Sequence, residues 1–107
     1  MLLPQALPAG AEQVVATATA TDLLSLIRTA SSNAGFDFDP RVNFCVLQVD
    51  STEEDSIRYS TSYTPTSARG IEVTGGNSVE IALPPEQIKV IRTAAADQTI
   101  NLQVYRI

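Results

Sequence analysis

The chain has 107 residues, of which 44% are hydrophobic and 18% charged, and its 7 basic and 12 acidic residues give a net charge of −5. This length suits one domain with its own core, and the acidic balance argues against nucleic acid or an anionic membrane surface as a partner, because both attract basic proteins. With one cysteine and no histidine, the chain can form no internal disulfide and lacks the commonest general base and zinc ligand.

The first ten residues, MLLPQALPAG, are predicted to form an extended N-terminal arm ahead of a single domain over residues 11–107. Pro4 and Pro8 remove two backbone donors and favour extended backbone before them. The arm carries four apolar side chains that are candidate contacts with another subunit or a shell: Met1, Leu2, Leu3 and Leu7. A frayed terminus is the alternative. The segment does not have the charged start of a signal peptide, so the protein is expected to stay soluble in a cytoplasm.

A strand followed by a short helix is predicted next. Residues Glu12–Ala20 alternate with a period of two and include β-branched side chains, which indicates a strand. The period then becomes helical, which predicts a helix near Asp22–Ser31 with four apolar residues on one face: Leu23, Leu24, Ile27 and Ala30. Thr21 or Asp22 can cap its start, and Arg28 lies near its predicted end, where the helix dipole favours a cation.

Residues Arg41–Asp50 are nearly continuously apolar, which predicts a central strand buried on both faces. Cys45 is then a small buried hydrophobe and not a reactive thiol, because no histidine is present to activate it. On this interpretation Val46→Asp would bury an unpaired charge and unfold the domain. The alternation resumes in residues 56–62, with Ile57 and Tyr59 inward and Arg58 outward.

Two groups of acidic residues are the only candidates for a cation site. One is the pair Asp37 and Asp39, and the other lies within residues 50–55, where Asp50 is followed by Glu53, Glu54 and Asp55. Calcium requires several oxygen ligands, but neither spacing fits an EF-hand loop. A solvated connection without a metal is therefore expected over residues 50–55, and a Ca²⁺ site is the alternative.

The remaining segments predict two hairpins. In GIEVTGGNSVEIALP, pairing of Val73 with Val79 and of Ile71 with Ile81 puts all four side chains on one side of a sheet. This register leaves Gly75–Asn77 as a three-residue loop, or a slightly longer loop about the same centre. The second hairpin joins QIKVIR to TINLQVYRI across TAAADQ. Three inward residues are expected in its second strand: Ile100, Leu102 and Val104.

The fold class that follows is all-β: an antiparallel, jelly-roll-like β-sandwich of about seven strands with one short N-terminal helix and an extended N-terminal arm. No residue pattern points to a catalytic, cofactor-binding or metal-binding site, so the protein is expected not to be an enzyme. Tyr59 and Tyr105 are expected to pack on sheet faces, whereas Tyr63 could belong to a contact patch.

From Phe36 onward, the order of pieces resembles the small β-sandwich virion proteins of tailed bacteriophages. The resemblance lies in strand rhythm and turn placement across FDPRVNFCVLQVD, IRYS, PTSARGIEVTGGNSVEIALP, QIKVIRTAAADQT and INLQVYRI. It implies a non-enzymatic structural protein of the virion, assembled in the host cytoplasm. Its implied role is capsid decoration or cement that stabilises the head shell, and its implied partners are the major capsid protein and copies of itself in a dimer or trimer.

Two alternatives to capsid decoration follow from the same sequence. An accessory tail or baseplate component would have the same fold at another place in the particle. A small ligand- or carbohydrate-binding β-sandwich is less favoured, because the chain has no tryptophan and few aromatic residues to stack against a sugar.

Overall fold

The computed structural model describes residues 7–34, 42–53 and 55–106, with side chains from residue 13 onward except those of 31–34. The elements in chain order are β1 (Leu7–Ala16), β2 (Thr21–Asp22), α1 (Leu23–Ala34), β3 (Phe44–Val49), β4 (Ser56–Ser60), β5 (Ile71–Thr74), β6 (Ser78–Ile81), a 3₁₀ turn (Pro85–Gln87), β7 (Lys89–Arg92) and β8 (Gln98–Arg106). Within these ranges the chain is mostly β with one short helix, as predicted, and has eight strands in place of about seven.

The strands form two antiparallel sheets of four. Sheet A has the order β1-β8-β3-β6 and sheet B the order β2-β7-β4-β5. The pairing is nested, with β1 on β8, β2 on β7, β3 on β6 and β4 on β5. This nesting describes one long antiparallel ribbon wrapped around a core, which is the arrangement of a jelly roll. The predicted jelly-roll-like sandwich is therefore confirmed.

The core lies between the inner faces of the two sheets. Sheet A contributes buried residues from β1, β3 and β8: Val14, Ala16, Cys45, Leu47, Val49, Ile100, Leu102 and Val104. Sheet B contributes buried residues from β4, β5 and β7: Ile57, Tyr59, Val73 and Val90. The predicted inward positions of β4 and β8 are confirmed. Removal of these two apolar faces from water stabilises the sandwich.

Both predicted hairpins are wrong in their pairing, although their strands exist. Strand β5 pairs with β4 and β6 with β3, so β5 and β6 lie in opposite sheets, and the same holds for β7 and β8. The turn after β5 instead closes on the end of β3: the Gly76 amide donates to the Val49 carbonyl at 2.8 Å, and the Val49 amide donates to the Asn77 carbonyl at 3.1 Å. Two consecutive strands show the same alternation of inward residues whether they pair as a hairpin in one sheet or lie in two sheets that face one core. Alternation therefore cannot distinguish the two arrangements.

Helix α1 begins where the sequence predicts and ends later. The Asp22 carboxylate accepts hydrogen bonds from the Ser25 amide at 3.0 Å and the Ser25 hydroxyl at 2.8 Å, which caps the first turn. The helix continues to Ala34, so Arg28 lies in its middle and not near its end. Four residues pack on or in the core: Leu23, Leu26, Ile27 and Ala30. Leu26 thus takes the place predicted for Leu24.

Strand β3 is central in sheet A, as predicted, but its two faces differ. Its inner face is fully buried, whereas Val46 on the outer face is only half-buried and is followed two residues later by the polar Gln48. The premise for Val46→Asp, burial on both faces, is therefore wrong at this residue. Ile71, predicted to share one face of its strand with the buried Val73, is 57% exposed, because it lies on β5 at the edge of sheet B.

Part of the predicted arm belongs to sheet A. Strand β1 begins at Leu7, which lies opposite Arg106 of β8, so the boundary placed after residue 10 falls inside β1. Pro8 is accommodated because β1 is an edge strand, and the register shifts between Pro8 and Gly10 as at a β-bulge. The candidate contacts Met1, Leu2 and Leu3 lie outside the described residues.

Candidate functional site

The outer face of sheet A carries a shallow depression of about 660 Å³ that is lined by polar side chains. Strand register places four of these side chains in one row from β1 through β8 and β3 to β6: Gln13, Asn101, Gln48 and Ser78. The neighbouring row pairs Gln103 with Val46. These six residues are called the amide face: Gln13, Val46, Gln48, Ser78, Asn101 and Gln103.

The row is joined by hydrogen bonds centred on Asn101. Its side-chain oxygen accepts from Gln13 Nε2 at 2.9 Å, and its side-chain nitrogen donates to Gln48 Oε1 at 3.3 Å and to Asp50 Oδ2 at 3.2 Å. Hydrogen bonds from the backbone amide and hydroxyl of Thr52, and then from Asn101, lower the pKa of the Asp50 carboxyl. Asp50 is therefore an anionic acceptor at neutral pH, and it fixes the orientation of the Asn101 carboxamide.

Several polar groups of the amide face remain available to a ligand. In the described part of the chain, Gln48 Nε2, Gln103 Nε2 and the Ser78 hydroxyl have no hydrogen-bond partner. The Tyr105 hydroxyl donates to Gln103 Oε1 at 2.8 Å, and the Tyr105 ring meets Phe44 edge-on with centroids 6.1 Å apart. The face thus presents uncharged donors and acceptors beside one aromatic ring, a set suited to binding and orienting a polar ligand.

A second, smaller depression of about 310 Å³ lies where the loop after β4 meets the 3₁₀ turn and β7. The Ser60 hydroxyl there accepts from the amides of Ser62 and Tyr63, so it serves the turn itself. Arg69 lies 4.1 Å above the centre of the Tyr63 ring, a cation–π contact that orders the loop. These groups are used in holding the loop together, so the amide face is the better candidate site.

The three tyrosines do not form one contact patch. Tyr59 lies in the core, Tyr105 on the outer face of sheet A, and Tyr63 in the loop after β4, where it is 39% exposed. The packing predicted for Tyr59 and Tyr105 is confirmed. The amide face was not predicted from the sequence; its signal there is the polar residues at alternate positions of β3 and β8: Gln48, Asn101 and Gln103.

The acidic loop after β3 uses its carboxylates to hold the chain together. Asp50 bonds to Thr52 and Asn101, and Glu53 Oε1 accepts from the backbone amide of Thr99 at 3.1 Å. No group of three or more potential metal ligands occurs among the described residues, and Asp37, Asp39 and Glu54 lie outside them. The metal-free, solvated loop stays a prediction.

Cys45 lies in the core, as predicted, with its side chain fully buried and Sγ 3.5 Å from the Leu83 carbonyl. Burial, and to a lesser degree the charge of Glu86, raises the pKa of the Cys45 thiol to about 12. Because the thiolate is the reacting species, we expect a disulfide reagent at pH 8 to leave the native protein unlabelled. One thiol per chain should react after denaturation in guanidinium, and rapid labelling of the native protein would contradict the burial.

The same pKa shift predicts a loss of stability in alkali. The unfolded thiol, with its ordinary value of 9.0, loses its proton before the native thiol, whose pKa is about 12. Between these values the native state binds more protons, so the contribution of Cys45 is complete below pH 9 and is lost as the pH rises toward 12. The Tyr59 hydroxyl, whose pKa burial also raises, acts in the same direction.

Comparisons of this chain with protein-family models, with curated proteins and with solved structures give no match. In the described ranges, no helix has both the length and the apolar character needed to cross a membrane.

Proposed function

We propose that this protein is a non-enzymatic structural protein of a tailed-bacteriophage virion that decorates the capsid and stabilises the head shell. The observation that supports this proposal is the jelly-roll order of the two sheets, an architecture used by viral capsid proteins. Lectins and cupins share it, so the fold alone does not specify a role. The resemblance of the sequence from Phe36 onward to virion proteins is the reason for preferring this one.

The proposed partners are the major capsid protein and further copies of this chain. The proposed contact is the arm, whose apolar residues Met1, Leu2 and Leu3 precede the start of β1. Leu7 pairs with Arg106 in sheet A, so the part of the arm proposed to make the contact is residues 1–6, which precede β1. Burial of Met1, Leu2 and Leu3 would stabilise attachment by about 4–8 kcal/mol per copy, before the entropy of ordering the arm is subtracted.

A binding assay with capsid shells assembled without this protein tests the arm. We expect the full chain to pellet with the shells and a chain lacking residues 1–6, which leaves β1 intact, to show much lower occupancy. The double variant Leu2→Ser/Leu3→Ser should behave like the truncation. Val15→Ser is the matched control, because Val15 is a 43% exposed apolar residue on β1 outside the arm. Equal occupancy of all forms would remove the arm from the mechanism.

Immunogold labelling of purified virions tests the location. Gold particles over the heads support decoration of the capsid, and gold particles over the tails support the accessory tail component. Virions that carry no label, together with no binding of the full chain to shells, would contradict a virion role.

A further inference from the structure

We propose that the amide face is a binding site for a neutral glycan. This inference goes beyond the virion role and does not depend on it, because the proposed shell contact is the arm at one end of β1, whereas the amide face lies across the outer surface of sheet A. The cavity volume of about 660 Å³ lies within the range of small-molecule sites, about 300–1,000 Å³.

The chemistry of the lining matches that of sugar hydroxyls. A sugar hydroxyl both donates and accepts hydrogen bonds, and a carboxamide offers two donors and one acceptor oxygen on the same group. Four carboxamides line the depression together with one hydroxyl: Gln13, Gln48, Asn101, Gln103 and Ser78. Among the described residues that line the depression none is charged, so a neutral polyol meets a matching set of groups there without the desolvation of a buried charge.

The free donors are arranged before any ligand arrives. Asn101 is held between Gln13, Gln48 and the anionic Asp50. That arrangement occupies the oxygen of Gln48 and leaves its Nε2 without a partner among the described residues, and Gln48 lies directly opposite Ser78 in the strand register. A ligand can accept from these groups without breaking the row, so little ordering cost is incurred on binding.

Two further features favour a sugar over other polar ligands. Val46 in the floor and the Tyr105 ring, which lies next to Gln103 on the outer face of β8, provide apolar surface for the C–H faces of a pyranose ring. The anionic Asp50, which accepts a hydrogen bond from Asn101 beside the row, places negative charge at the border of the face. Like charges repel, so anionic glycans should bind worse than neutral ones.

The test is affinity electrophoresis of the full chain through native gels that contain one polysaccharide each. The neutral probes are dextran, yeast mannan, galactan and barley β-glucan, and the anionic probe is dextran sulfate. We expect at least one neutral polysaccharide to retard the protein and dextran sulfate not to. The double variant Gln48→Leu/Gln103→Leu should lower the affinity about tenfold or more, which corresponds to the loss of one or two hydrogen bonds.

The matched control is Gln87→Leu, which makes the same substitution at an exposed glutamine in the second depression and should retain full retardation. Circular dichroism confirms that each variant is folded. In the unmodified protein, the side-chain amide NMR signals of Gln48, Asn101 and Gln103 should shift with the retarding polysaccharide while that of Gln87 does not. Retardation by no neutral polysaccharide, retardation unchanged by the double variant, or shifts confined to Gln87 would each overturn the proposal.

Discussion

Leu47→Asp is expected to leave the protein unfolded under conditions in which the unmodified chain is native. Leu47 is fully buried on the inner face of β3, the strand that lies between β8 and β6 in sheet A. A carboxylate there would lose its hydration without gaining a partner, and this cost is comparable with the whole stability of a domain, about 5–15 kcal/mol. Leu47→Ala, which only opens a cavity, should cost about 3 kcal/mol.

The neighbouring substitution Val46→Asp is the matched control. It places the same carboxylate one residue away on the outer face, where Val46 is half-buried and belongs to the open amide face. We expect this variant to stay folded with a loss of about 1 kcal/mol, because the carboxylate reaches water. Far-UV circular dichroism and urea denaturation measure both variants. A native spectrum for Leu47→Asp, or equal unfolding of the two variants, would show that the faces of β3 are assigned incorrectly.

Gly75→Ala is expected to lower the free energy of unfolding by about 2–3 kcal/mol, as overpacking does in a rigid site. A Cβ atom added at Gly75 would clash with the backbone carbonyl oxygen of Glu53 and lie 3.5 Å from that of Asp50. Both neighbours are backbone atoms in the turn after β3, where the Glu53 amide donates to the Asp50 carbonyl at 3.0 Å. The steric clash of the added methyl group can be relieved only by moving this turn away from the turn between β5 and β6.

Gly76 provides the comparison within the same turn. Among the described residues, the nearest atom to a Cβ added there would be Ser51 Cβ at 3.8 Å, but the Gly76 φ of +82° lies in the left-handed region. Gly76→Ala should therefore cost about 1–2 kcal/mol from backbone strain alone. Asparagine tolerates this region, so Gly76→Asn should recover part of the loss, whereas Gly75→Asn should recover none. Urea denaturation of the four variants, compared at equal slopes, distinguishes a steric clash at Gly75 from backbone strain at Gly76. A higher stability of Gly75→Asn than of Gly75→Ala would contradict the clash.

The local features of this protein follow from its amino-acid sequence alone. The alternation around Ile57 and that around Ile100, Leu102 and Val104 located two strands and their inner faces, because a residue's side of a strand depends only on its parity. The change to helical spacing after Ala20, with Asp22 as cap, located helix α1 for a similarly local reason. The apolar run around Cys45 was sufficient to predict a buried thiol.

The pairing of the strands, and with it the candidate site, depends on contacts between segments that are far apart in the sequence. An inward alternation in β5 and β6 satisfies a hairpin and a two-sheet sandwich equally, and the sandwich forms because it lets both sheets cover one core. The row of the amide face joins Gln13 to Asn101, 88 residues apart, and Asn101 to Gln48, 53 residues apart. In the sequence, each carboxamide is an ordinary polar residue at a solvent-facing position of a strand. Only the nested pairing, which gives the strand order β1-β8-β3-β6, brings these residues together on one surface.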